Sequence, residues 1–178
     1  ETLVPSILAI WNPILFERKN GSRYAFFHYY LEYRGPGFKQ ARCQGGFEYP
    51  DGSRSLITSE RPEIRFDARN MRFLGGKFTF TMGDGASRTL EYEPANDTGF
   101  HLGAGLYHGG LGQHQGSWRS KLHLDGEYFS DCADPSIVER IGQFRDCMVK
   151  VLDPAGEAAG WGNCQTYVRG AWPEFGLP

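Results

Sequence analysis

Residues 23–33 read RYAFFHYYLEY. In an extended strand side chains alternate between two faces, so Tyr24, Phe26, His28, Tyr30 and Glu32 share one face and Ala25, Phe27, Tyr29, Leu31 and Tyr33 the other. Both faces are largely apolar. A strand of that kind is expected to face an aromatic interior on one side and to be covered on the other by a helix, a second domain or another subunit.

The surrounding chain repeats the pattern. Asn20-Gly21, Asp51-Gly52, Asp84-Gly85 and Asp125-Gly126 are dipeptides suited to type I′ hairpin turns. Between them lie segments rich in β-branched and aromatic residues, at about 22–34, 37–49, 53–67, 71–82, 87–93, 116–124, 147–153 and 161–169. Phe78, Phe80 and Met82 alternate with Thr79 and Thr81, and Trp118, Leu122 and Leu124 alternate with Arg119, Lys121 and His123. About eight strands in one chain predict an antiparallel barrel or a barrel-like sandwich. One helix is expected: Asp134 caps it, Pro135 opens it, and Ile137, Val138, Ile141 and Phe144 form its apolar stripe as far as about Arg145.

Length and composition bound the rest. A chain of 178 residues suits a single domain, and 40% hydrophobic with 22% charged residues is a globular profile. A net charge of −2 leaves no cationic excess for phosphates, so no nucleic-acid partner is expected. The apolar segment from Leu3 to Phe16 is broken by Pro5, Asn12 and Pro13, so it does not read as a transmembrane helix. The absence of an initiator Met before Glu1 reads as a processed chain or an excised part of a longer one. Cys43, Cys132, Cys147 and Cys164 contain no CxxC pair and read as reduced core thiols in a cytoplasmic setting. The alternative is one disulfide between two of the last three in an exported protein.

Candidate chemistry centres on histidines. The glycine-dense stretch 99–116, GFHLGAGLYHGGLGQHQG, carries His101, His108 and His114. It reads either as a structural loop or as a ligand-proximal one at a barrel mouth. Lacking Gly-Lys-Ser/Thr, it is no phosphate loop, and without HxH or HExxH no metal is expected. His28, set among Tyr24, Phe26 and Tyr30, is either a core histidine satisfied by a neighbour or an acid–base group facing an aromatic cavity. Within the acidic cluster Asp125, Glu127, Asp131 and Asp134, only Asp131 lacks a ready structural explanation. His28, His108, His114 and Asp131 are therefore the candidate acid–base residues. Tyr24, Phe26, Tyr30, Tyr107, Trp118 and Trp161 are the candidate substrate contacts. No serine-nucleophile elbow occurs.

The run from Gly116 to Tyr128, GSWRSKLHLDGEY and its continuation, followed by Asp131-Cys-Ala-Asp-Pro, Arg145-Asp146-Cys147 and Gly160-Trp-Gly-Asn-Cys, resembles the C-terminal region of proteins related to carotenoid 1,2-hydratase. That resemblance implies a lipocalin-like barrel, the second of two in tandem, acting without a cofactor on isoprenoid or polyketide substrates. No catalytic residue is carried over from it. The expected function is a cofactor-independent hydratase, dehydratase, isomerase or cyclase for a hydrophobic isoprenoid-like molecule. Its expected partners are an N-terminal barrel half or a second subunit, including a homo-oligomer. The alternatives are a non-catalytic hydrophobic-ligand or interaction domain and, more remotely, a carbohydrate-binding sandwich.

Overall fold

The computed structural model describes residues 5–95, 100–102 and 144–177, with Lys121, Ser130, Asp134 and Ser136 as isolated positions. The strands are β1 (Ser6–Arg18), β2 (Arg23–Gly35), β3 (Phe38–Glu48), β4 (Arg54–Phe66), β5 (Phe73–Met82), β6 (Ser87–Pro94), β7 (Phe100–Leu102), β8 (Phe144–Asp153) and β9 (Ala158–Arg169). They pair in the order β6-β5-β4-β3-β2-β1-β9-β8, and β6 then bonds back to β8. The result is a closed eight-stranded antiparallel barrel of lipocalin-like kind, with the short β7 lying beside the start of β8. No helix among the described residues is long and apolar enough to cross a membrane.

Seven of the eight expected strands recur as β2 to β6, β8 and β9, while 116–124 lies outside the described residues. The strand that composition hides is β1, because Pro13 offers no ladder donor. The structure accommodates it by interrupting one side: pairing with β9 runs to Trp11↔Gln165 and resumes at Ile14↔Gly162, while pairing with β2 is continuous. Gly162 is required at this gap, since a Cβ there would collide with the Pro13 carbonyl oxygen.

The hairpin turns at 20–21, 51–52 and 84–85 form where expected but are not type I′. Gly21, Gly52 and Gly85 take φ of 81°, 80° and 85°, whereas Asn20, Asp51 and Asp84 do not enter the left-handed region. Each is a type I turn closed by a left-handed glycine. The preceding side chain explains the choice: Asn20 Oδ1 accepts from the Ser22 N–H at 3.0 Å, and Asp51 and Asp84 accept from the N–H of Ser53 and Ala86 at 2.9 Å. Asp125-Gly126 lies outside the described residues.

The helix is corrected at its end. Asp134 Oδ1 accepts from the Ser136 N–H at 2.8 Å, as a cap should, but Phe144 and Arg145 belong to β8. There the backbone pairs with both β7 and β9, which satisfies donors and acceptors on both sides. The positions between 137 and 143 lie outside the described residues.

Inside the barrel Leu8, Ile10, Ile14 and Phe16 of β1 meet Tyr24 and Phe26 of β2, Phe47 of β3, Phe78 and Phe80 of β5, and Leu90 and Tyr92 of β6, all buried. The outer face of β2 is less covered than its composition suggests. Phe27 is 46% exposed, and Tyr29, Leu31 and Tyr33 are half-buried.

Replacing Gly162 by Ala is expected to lower the unfolding free energy by about 2 kcal/mol or more, because backbone must move to admit the methyl group. Gly21→Ala faces open space and strains only its φ, and should cost about 1 kcal/mol. Urea denaturation of the two variants checks the order.

Candidate functional site

Four adjacent strands place a polar cluster at mid-height in the aromatic interior. Asn12 of β1 lies directly across from His28 of β2, and its Nδ2 is 3.1 Å from His28 Nδ1. On the other side of the ring His28 Nε2 contacts a carboxylate oxygen of Glu60, and both side chains are fully buried. The Cys43 thiol of β3 donates to the same Glu60 oxygen at 3.4 Å. Rings of Phe80, Phe78 and Phe26 surround the imidazole at centroid distances of 5.1, 5.9 and 6.0 Å. This wall excludes water and makes each polar contact matter.

The cluster is not sealed, because the barrel wall is incomplete beside it. β3 and β4 pair only through Gly46–Glu48 and Arg54–Leu56, then diverge. Beyond that point the free edge of β4 carries Arg61, Pro62, Glu63 and Arg65, residues that discourage pairing with another strand. A cavity of about 590 Å³ occupies the split, with Glu60 and Tyr30 at its inner wall and Glu32, Lys39, Ile64 and Phe175 among the residues around it. That volume is in the usual range for a small-molecule site.

At the mouth the Tyr30 hydroxyl donates to Glu32, which also pairs with Arg34 and, at 3.1 Å, with Lys39. Arg34 continues the chain to Glu174. Burial opposes ionisation of Glu32, but the bonds from Arg34, Tyr30 and Lys39 outweigh it and hold its carboxyl below the usual range. Burial, with the Glu32 bond second, pushes the Tyr30 hydroxyl well up. Burial, then the charge of Glu60, likewise raises the Cys43 thiol, so in this form of the site it is a neutral donor rather than a nucleophile.

The expected site residues divide accordingly. His28, Phe26 and Tyr30 belong to this region. Tyr24 shares their face but does other work near the hairpin end, where its hydroxyl donates to Asp153. Asp153 is also held by Arg88 and by the Gly156 N–H at 3.0 Å, and Arg88 reaches the Tyr49 hydroxyl at 2.8 Å. That network plugs one end of the barrel. Trp161 is 56% exposed on the outer wall, because the inward positions of β9 are taken by its alternate residues Gly160 and Cys164. His108, His114, Asp131, Tyr107 and Trp118 lie outside the described residues.

Asn12, Cys43 and Glu60 were not anticipated, yet a signal existed for two of them. Glu60 is in phase with Ile64 and Phe66 on the inward face of β4, and Asn12 with Leu8, Ile10, Ile14 and Phe16 on that of β1. An isolated polar residue on an otherwise apolar face must find a partner. Of the expected free cysteines, Cys43, Cys147 and Cys164 are thiols, and Cys147 and Cys164 are register partners on β8 and β9.

The depressed Glu32 carboxyl makes the mouth acid-sensitive. Its contribution to stability is complete above the unfolded carboxyl value, about pH 4.3, and is lost as pH falls through the lower folded value. Glu32→Gln should therefore show a smaller loss of stability than the parent between about pH 4.5 and pH 2, followed by urea midpoints across that range. Comparison with protein-family models, characterised proteins and solved structures finds no match for this chain.

Proposed function

We propose that the barrel takes a small, mainly hydrophobic molecule bearing one oxygen function at the β3–β4 split and moves a proton to and from it through Glu60. The supporting observation is the state of that carboxylate. One oxygen is engaged by His28 and Cys43, while Oε1 has no partner among the described residues and the side chain lines the cavity. A buried carboxyl with one free oxygen and an imidazole behind it is suited to general acid–base work. Asn12 fixes the orientation of the imidazole.

The reaction class is a cofactor-independent dehydration, hydration or isomerisation of an isoprenoid-like alcohol or alkene. In the dehydration direction a protonated Glu60 gives its proton to the hydroxyl oxygen and water departs. The carboxylate then takes a proton from the neighbouring carbon, which leaves an alkene and restores the acid. The ring of Tyr30 flanks the cationic stage, an interaction worth about 0.5–2 kcal/mol per aromatic face. The resemblance of residues from about 100 to 178 to relatives of carotenoid 1,2-hydratase favours the same chemistry. Free Cys43, Cys147 and Cys164 support a reducing, cytoplasmic setting. Trp11, Leu15, Phe27 and Trp161, exposed on the outer wall of β1, β2 and β9, support a neighbouring barrel half or second subunit.

A second reading, a non-catalytic binder of hydrophobic ligands, is favoured by one observation. Phe26, Phe47, Phe78, Phe80 and Tyr92 pack against one another through the barrel interior. On either reading the ligand space is proposed to be the split, which adjoins Glu60, rather than the larger cavity of about 890 Å³ beside Leu15, Arg18, Leu152 and Trp161.

Incubation with monoterpene and sesquiterpene alcohols and alkenes in ¹⁸O-labelled water, followed by gas chromatography with mass detection, separates the two. Label gained or lost establishes the chemistry, and Glu60→Gln should then reduce turnover at least about a hundredfold. Saturable binding of the same compounds without label exchange would replace catalysis with carriage.

A further inference from the structure

The cluster that serves as a proton site also has the composition of a metal site. The ligand atoms of His28, Cys43 and Glu60 all lie within 4.8 Å of one another, with Cys43 Sγ 3.4 Å from a Glu60 oxygen. A tetrahedral zinc ion bound by sulfur, nitrogen and oxygen sets its ligand atoms roughly 3.3–3.6 Å apart. We propose that His28, Cys43 and Glu60 bind one thiophilic divalent cation of the zinc or cobalt class, with its remaining position directed to the cavity at the β3–β4 split.

Four features carry this. The ligands come from three consecutive, adjacent strands, β2, β3 and β4, so the backbone holds them without a flexible loop. A thiolate and a carboxylate supply two negative charges, which neutralise a divalent ion in an interior where any surplus charge is costly. Sulfur, imidazole nitrogen and one carboxylate oxygen form a mixed donor set suited to zinc and cobalt rather than to magnesium or calcium. Finally, two buried oxygens without partners among the described residues gain them. Glu60 Oε1 can ligate, and Asn12 Oδ1 can accept from His28 Nδ1–H once Nε2 is committed to the metal. The heavy-atom positions of the Asn12 amide allow either orientation. A metal-ligating histidine normally donates its other N–H in this way.

Binding replaces protons by the cation. Cys43 releases its thiol proton to solvent, the imidazole proton moves from Nε2 to Nδ1, and the His28–Glu60 contact opens to ligand spacing. The metal and the shared proton therefore compete for the same lone pairs. The inference does not rest on turnover, because metal binding is measured without substrate and dehydration on metal-free protein.

The test is a titration of chelator-treated protein with Co²⁺, read by absorption. The expected result is one equivalent bound per chain, with a thiolate-to-cobalt charge-transfer band in the near ultraviolet and visible bands of four-coordinate intensity. Stoichiometric Zn²⁺ should remove both. The charge-transfer band should vanish in Cys43→Ser and persist in Cys132→Ser, Cys147→Ser and Cys164→Ser. Should Cys43→Ser fold poorly, alkylation of the parent protein answers the same question: Zn²⁺ should slow iodoacetamide labelling of Cys43 at least tenfold, mapped by peptide mass. Absence of a thiolate band in the parent protein, a band that survives Cys43→Ser, or labelling of Cys43 unchanged by Zn²⁺ overturns the proposal.

Discussion

A carboxylate enclosed by aromatic rings must be paired, and the pairing of Glu60 with His28 organises the middle of this barrel. Leaving that carboxylate unpaired in such a position would cost several kcal/mol. Its demands spread outward: Asn12 has to face inward to hold the other nitrogen of the imidazole, and the Cys43 thiol supplies a second donor to the carboxylate. Phe26, Phe78 and Phe80 then form the wall that excludes water. The polar cluster thus depends on β1, β2, β3 and β4 being in register, and fixes that register in turn.

The two ends of the barrel differ in physical character. At the end where β1–β2, β3–β4, β5–β6 and β8–β9 turn back, Tyr24, Tyr49, Arg88 and Asp153 bond to one another, and Arg88 lies 3.7 Å from the Phe47 ring centroid. Cation, carboxylate and rings close that end. Burial, followed by its bond to Asp153, pushes the Tyr24 hydroxyl well up, so this tyrosine is a fixed donor. Towards the opposite end, β3 and β4 part and the Tyr30–Glu32–Arg34–Glu174 chain lies along the opening. Access to the central cluster therefore runs from the side of the barrel.

Much of the fold was legible because strand alternation writes burial directly into sequence. Phe78, Phe80 and Met82 are buried while Thr79 and Thr81 are not, as their spacing requires. Segments dominated by local pattern emerged near their true limits. β1 did not, since Pro13 reads as a breaker until the gap in the β9 ladder is seen. The tyrosine contacts were legible as an inward face but not in role, because Tyr24 and Tyr30 occupy equivalent positions in the alternation and differ only in what the other strands bring to them. Glu60 shows the limit most clearly. Its spacing puts it in phase with Ile64 and Phe66 but out of phase with the buried Ile57; the register shift between Ile57 and Ser59 reconciles the two, and a shift of that kind is set by pairing with β5 rather than by the residues of β4 alone.

The middle of the barrel depends on His28 being locked between Asn12 and Glu60. Proton–nitrogen correlation spectra of protein labelled with ¹⁵N at histidine address this directly. The expected result is one imidazole whose Nε2–H resonates far downfield, exchanges slowly with water, and loses that signal in Glu60→Gln while the backbone spectrum stays folded. A His28 ring whose Nε2–H exchanges as freely as that of a surface histidine, and is indifferent to Glu60→Gln, would contradict it.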